Sequence, residues 1–176
     1  LAAHQDMFLT LAKFRAMRLL WERLRPGSVL QLHGETSRRM MAELDPHSNI
    51  LRSTAAVFGA GLGGADTITV LPFSIAQGRP DAFARRMARN TQLILLEESH
   101  LGFVSDPASG AGYVEALTQA LRDEAWKIFH AIVKTGKPPE FDGANMSSDP
   151  VIGTRVHQLQ KEFEAAIETQ VLPSRR

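Results

Sequence analysis

The chain has 176 residues, 44% of them hydrophobic and 22% charged, and a formal net charge of +1. That length suits one domain with a sizeable core, and the charge balance leaves no electrostatic footprint for nucleic acid. No apolar run approaches the roughly 18 residues of a membrane helix, and no basic stretch leads into an apolar one as in a secretory leader. The absence of cysteine excludes disulfides, thiolate metal sites and a cysteine nucleophile, and makes a reducing, cytoplasmic setting the expectation.

Met7, Leu11, Phe14, Met17, Trp21 and Leu24 recur at three- and four-residue steps and predict a long amphipathic helix ending before Pro26-Gly27. The chain enters this periodicity almost at once from Leu1, as a piece beginning in mid-fold would. The stretch SVLQLH, Ser28–His33, is short, apolar and bounded by Gly27 and Gly34, which suits a buried strand. A second helical stripe of Ile50, Thr54, Val57 and Phe58 then stops at a run of glycines. TITVLPF, Thr67–Phe73, is β-branched and reads as a second strand closed by Pro72. Phe83, Met87 and Ile94 mark a helix from about Pro80 to Ser99, with Pro80 suited to its first turn. GFVSDP, Gly102–Pro107, is a weaker third strand. Val114, Leu117, Leu121, Ala125, Ile128 and Ile132 mark the most regular helix of the chain. Residues 136–153, GKPPEFDGANMSSDPVIG, turn to Gly, Pro, Ser and Asp and read as a linker. Beyond it, within 154–176, Val156, Leu159, Phe163 and Ile167 predict one more amphipathic helix whose stripe needs a surface to pack on.

The expected order is therefore α-β-α-β-α-β-α, with strand starts roughly 35–40 residues apart. Strands alternating with helices imply an α/β fold with parallel strands joined by crossovers. The repeat length fits a (β/α)8 barrel, in which roughly 250 residues serve eight units. Three βα units and a preceding helix, over residues 1–135, make less than half of one.

Three short motifs carry possible chemistry. Gly59-Ala60-Gly61-Leu62-Gly63-Gly64 spells G-x-G-x-x-G, the dinucleotide fingerprint. That loop needs a strand before it and a helix after it, because the helix N-terminus faces the pyrophosphate. Here the order is reversed, so the glycines are expected on an α-to-β turn. Glu97-Glu98-Ser99-His100 has the Glu-x-x-His spacing of carboxylate di-iron bundles, but the sequence holds no second copy. Asp45-Pro46-His47 is similar to the D-x-H-x-x-G of base-off cobalamin proteins, but Ile50 stands in place of the glycine. Asp45 is better read as a helix cap. No metal site is expected.

In a barrel, chemistry gathers at the C-terminal ends of the strands. The polar candidates there are His33, Glu35 and Thr36 after the first strand, and Asp106 with Ser109 and Gly110 after the third. Leu71, Pro72 and Phe73 after the second are chemically mute. A hydrogen-bonded core histidine is the plain alternative for His33, and no Ser-His-Asp or paired-carboxylate spacing can be argued.

Four collinear segments carry a resemblance. HQDMFLTLAKFRAMRLLWERL, DPHSNILRSTAAVFGAGLGGADTITVLPF, FARRMARNTQLILLEESHLGFVSDPASG and YVEALTQALRDEAW together resemble the adenosylcobalamin-dependent methylmalonyl-CoA mutases over about residues 3–134. The resemblance implies a (β/α)8 barrel with CoA along its axis, a separate cobalamin domain, and isomerisation of methylmalonyl-CoA and succinyl-CoA. The matching region is the end of that barrel, from its fifth helix to its eighth. His33 stands at the family's sixth-strand histidine, Glu35-Thr36-Ser37 replaces Gln-Thr-Ser, and Gln31 stands where catalytic members tend to be basic. Along the seventh strand, Thr67, Thr69, Val70, Leu71 and Pro72 occupy positions where catalytic members place Gln, His and Asn. That apolar strand looks more like the small, non-catalytic subunit of heterodimeric mutases.

The residues expected to face substrate or cofactor are thus His33, Glu35, Thr36, Thr67, Thr69 and Asp106. Adenosylcobalamin is implied by the family alone, since its D-x-H-x-x-G domain is not in this sequence. The expected role is structural, pairing with a mutase subunit as a homo- or heterodimer, and acyl-CoA is a candidate ligand; neither nucleic acid nor membrane is expected. The alternative is a short half-barrel protein that binds a partner or an acyl-CoA without catalysis.

Overall fold

The computed structural model describes residues 1–137, so the helix expected at 154–176 and nearly all of the linker expected at 136–153 lie outside the described residues. Three short strands, β1 (Ala2–Ala3), β2 (His33–Thr36) and β3 (Thr67–Thr69), form one parallel sheet in the order β1-β2-β3. Ala2 pairs with Glu35, His33 with Thr67, and Glu35 with Thr69. The helices are α1 (Met7–Leu24), α2 (Ser48–Leu62), α3 (Ala82–Leu93) and α4 (Gly112–Thr135). The parallel α/β architecture follows from the alternation of elements, because a strand that returns in the same direction needs a helix-length crossover.

Local chemistry starts and stops the helices. Asp6 accepts the Leu9 N–H at 2.9 Å and Asp81 accepts the Ala84 N–H at 2.7 Å, each capping a first turn. Asp45 accepts the Ser48 N–H at 3.3 Å, the capping role expected of it. At the far end of α4, Gly136 takes a left-handed φ of 68° and returns its N–H to Ile132 at 2.8 Å.

One face of the sheet is closed by α1 and α2. Phe14 from α1 and Ala56 and Ala60 from α2 are fully buried against Ala3, Leu32, Met40 and Met41. The helices approach closely because glycine faces them. A Cβ on Gly59 would lie 2.8 Å from the Met7 carbonyl oxygen, and one on Gly63 would lie 2.8 Å from both the Leu11 oxygen and the Phe14 Cβ.

Several expectations are corrected. The first expected strand, Ser28–His33, begins its ladder only at His33, and β1 has no signal in the sequence because two alanines show no periodicity. The second, Thr67–Phe73, pairs only as far as Thr69; beyond it the Leu71 N–H is taken by the Thr36 hydroxyl at 2.8 Å and Pro72 has no N–H to offer. Gly102–Pro107 is no strand. It is a chain of turns in which Phe103 N–H bonds the His100 carbonyl, and both His100 and Asp106 have positive φ. The helix expected over Pro80–Ser99 is α3 followed by a π-helical turn at Ile94–Glu98. Gly59 and Gly61 lie inside α2, and only Gly63 and Gly64 form the turn.

The last helix also departs from a continued barrel ring, in which it would follow α3. Instead α4 runs alongside α1 in the same direction: Phe8 meets Tyr113, Arg15 bonds Glu115, and Arg23 stacks 4.0 Å over Trp126. The seam is apolar where Leu11 packs with Val114 and Ala108.

Candidate functional site

The opposite face of the sheet is uncovered among the described residues. Side chains alternate along a strand, so the residues that pack on α1 and α2, Gly34, Thr36 and Ile68, leave His33, Glu35, Thr67 and Thr69 exposed on the other side. This is the face that a closed barrel turns toward its axis. Four of the six expected site residues are therefore brought together.

His33 opens β2 rather than ending a strand, and its ring lies across β3. Its Nδ1 is 2.8 Å from the Thr67 hydroxyl and its Nε2 is 3.3 Å from that of Thr69. A neutral imidazole has one donor and one acceptor, so one threonine donates to the ring and the other accepts from it. The first then presents lone pairs outward and the second a proton. Glu35 sits beside Thr69 in register, next to the small Ala2 on the other side. The face thus offers two hydroxyls, an imidazole held at both nitrogens, and one carboxylate.

The other two candidates lie elsewhere. Thr36 is fully buried and its hydroxyl receives the Leu71 N–H, which fixes the chain leaving β3. Asp106 is ion-paired with Arg15, which also holds Glu115 at 2.6 Å. It borders a cleft shared with Gly63 and Gly64, which precede β3, and so lies toward the N-terminal ends of the strands. Both residues are structural ties.

Two further residues position the sheet. Asp66 accepts the Leu32 N–H at 2.6 Å and the Arg18 guanidinium at 2.9 Å, while its own N–H returns to the Leu32 carbonyl at 2.9 Å. The Leu32 N–H, with Arg18 beside it, holds the Asp66 carboxyl below its ordinary range. Asn49, fully buried on α2, bonds both the N–H and the carbonyl of Ala42 and also the Phe73 carbonyl, at 2.8–2.9 Å. It joins the loops that leave β2 and β3. Its signal in the sequence is a polar residue one place before the apolar stripe beginning at Ile50, which also describes any exposed asparagine.

With this geometry in view, a family model of the methylmalonyl-CoA mutases matches residues 1–170. The chain belongs to the methylmalonyl-CoA mutase family. It is 52% identical over 147 residues to the probable methylmalonyl-CoA mutase small subunit of Mycobacterium tuberculosis (strain ATCC 25618 / H37Rv), covering 77% of this chain and 24% of that one. It is 54% identical over 137 residues to the small subunit of Streptomyces virginiae, covering 74% of this chain and 22% of that one. Against the methylmalonyl-CoA mutase of Cereibacter sphaeroides the identity is 37% over 143 residues, covering 77% and 20%. The chain thus spans about a quarter of the length of the relatives it matches. The likeness is greater to the small subunits than to that mutase.

The mutase family is cobalamin-dependent. The one stretch of this chain similar to a cobalt-ligating motif does not fit the role. His47 stacks on Phe73 with ring centroids 5.2 Å apart, and the Asp45 carboxylate, which would orient a ligating ring, is bonded to Ser48. Glu97 and His100 belong to no group of three or more His, Asp or Glu placed to hold a metal among the described residues. An apolar cleft of about 290 Å³ lies beside β3, lined by Val57, Ala65, Ile68, Leu95 and Leu101. No described helix is long and apolar enough to cross a membrane.

Proposed function

We propose that this chain supplies the closing part of the barrel in a cytoplasmic mutase small subunit, and that its task is assembly with a catalytic mutase subunit rather than radical chemistry. The observation that carries this reading is the state of the open face. The imidazole of His33 is bonded at both nitrogens, to Thr67 and Thr69, so neither ring nitrogen is open to direct contact with a substrate group. Among the described residues, Glu35 is the only carboxylate that shares this face with His33, Thr67 and Thr69, and an acid–base pair needs two groups of separated pKa. Large apolar side chains are meanwhile exposed on α3, the π-helical turn after it and the loop that follows: Leu93, Ile94, Leu96, Val104 and Phe103, the last at 89%. Exposed apolar side chains in that number support a surface that a partner covers.

The decisive experiment mixes the purified chain with a catalytic mutase subunit and adenosylcobalamin. Co-elution in gel filtration, with isomerisation of methylmalonyl-CoA requiring the catalytic subunit, is the expected result. Turnover by this chain and the cofactor alone would overturn the reading.

The exposed hydroxyls of Thr67 and Thr69 favour a second reading, a half-barrel that binds acyl-CoA without catalysis. Calorimetric titration with CoA thioesters separates the two: saturable binding by the isolated chain, without co-elution, selects the second.

A further inference from the structure

The end of α4 carries an apolar ridge that, beyond the Trp126 ring on which Arg23 stacks, is exposed among the described residues. Arg23, in the last turn of α1, lies over Trp126, so residues 127–135 of α4 run past the end of α1. On this projecting length Trp126, Phe129 and Val133 stand at i, i+3 and i+7, which places them on one face. Phe129 is 38% and Val133 66% exposed, whereas Val114 and Thr118 at the other end of the helix are buried against α1. Trp126, Phe129 and His130 pack ring to ring, with centroids 4.9–6.1 Å apart, and so form a continuous surface.

We propose that this ridge is covered by the chain's own segment Val156–Ile167, folded back on the end of α4. The proposal is independent of the mutase reading above. Three observations select that occupant. The segment carries Val156, Leu159, Phe163 and Ile167 at the spacing of a single helical face, a stripe that itself needs a partner. α4 ends in the left-handed turn of Gly136, and the residues between there and Val156 can extend about 3.3 Å each, far more than a return path along 127–135 requires. The charges are complementary. Lys134 and Lys137 lie beside the ridge together with Lys127, which is paired with Glu124, while Glu162, Glu164 and Glu168 outnumber Lys161 along the stripe.

The chain has no cysteine, which makes a cross-linking test clean. Val133→Cys is combined with Phe163→Cys on the stripe or with Ala165→Cys, about half a turn away on the opposite face. Tethering alone gives both pairs a similar effective concentration, on the order of millimolar. Face-specific docking is therefore read from the difference between them. The expected result is an intramolecular disulfide, seen by intact mass and loss of free thiol, that forms at least about tenfold faster for the Phe163 pair. Equal rates for the two pairs would overturn the proposal, and so would disulfide-linked dimers as the main product, which would assign the ridge to a second copy. A second readout is hydrogen exchange over 127–135. Removing residues 154–176 should speed exchange there and leave α1 unchanged. Unchanged exchange over 127–135 would also overturn the proposal.

Discussion

The two faces of the small sheet are built from alternating residues of the same strands, yet they obey opposite rules. On the covered face every contact is short and spatially specified: Gly34 admits the Phe14 ring, Thr36 is spent on the Leu71 N–H, and α2 meets α1 through glycine. On the open face His33, Glu35, Thr67 and Thr69 are polar and exposed, and the His33 ring is bonded to both threonines. One face holds the fold together and the other is uncovered among the described residues. Substitutions should therefore divide sharply by face, large on one and small on the other.

Gly59→Val should have the largest effect. Its Cβ would sit 2.8 Å from the Met7 carbonyl oxygen, a backbone atom that cannot rotate away, so α1 and α2 must separate. A loss of ~3 kcal/mol is expected, read from urea unfolding midpoints at constant m-value. Asn49→Leu comes next. It has similar volume but strips the partners from three backbone groups, the Ala42 N–H and the Ala42 and Phe73 carbonyls, and leaves the buried Arg52 without its acceptor. A loss of about 2–3 kcal/mol is expected by the same measurement. A change below about 0.5 kcal/mol for either would mean that the covered face does not hold the fold.

Asp66→Asn tests the clamp between the faces. Its side chain is 42% exposed, so solvent screening limits the loss to about 1 kcal/mol. The pH dependence is more telling. The folded carboxyl titrates below its ordinary 3.8, so folding favours the ionised form. That contribution is complete above 3.8 and is lost as the pH falls from there through the lowered folded value. Acid titration of the unfolding free energy should accordingly be shallower below pH 3.8 in the variant. Parallel curves would remove Asp66 from the account.

The same division explains what could be read in the sequence. The helices were legible because Met7, Leu11 and Phe14, or Val114, Leu121 and Ile132, repeat with a period that only a helix buries on one side. Strand ends were not. A ladder of two to four residues is set by which neighbours reach it, as Thr36 intercepting Leu71 shows. Gly102–Pro107 has a strand's composition but not its pairing, because Asp106 is drawn to Arg15 and takes a left-handed backbone. On the site, the alternation along β2 and β3 was enough to gather His33, Glu35, Thr67 and Thr69. That Thr36 and Asp106 are structural depended on Leu71 and Arg15, partners 35 and 91 residues away, which no local pattern encodes.

The smallest stability effect belongs to the open face, where Glu35→Gln should change the unfolding free energy by less than about 0.5 kcal/mol. Its consequence lies in ligand choice. Glu35 puts one negative charge beside the hydroxyls of Thr69 and, through His33, Thr67. An acyl group with its own carboxylate placed about 4 Å away would meet a repulsion of about 1 kcal/mol in a water-like dielectric, whereas a neutral acyl group would not. Calorimetric titration of the parent and Glu35→Gln with an acidic and a neutral acyl-CoA isolates this term as a ratio of ratios. A selective gain of about fivefold for the acidic thioester is expected in the variant. An equal change for both would mean that the acyl group does not approach Glu35, and the open face would then be left to protein contact alone.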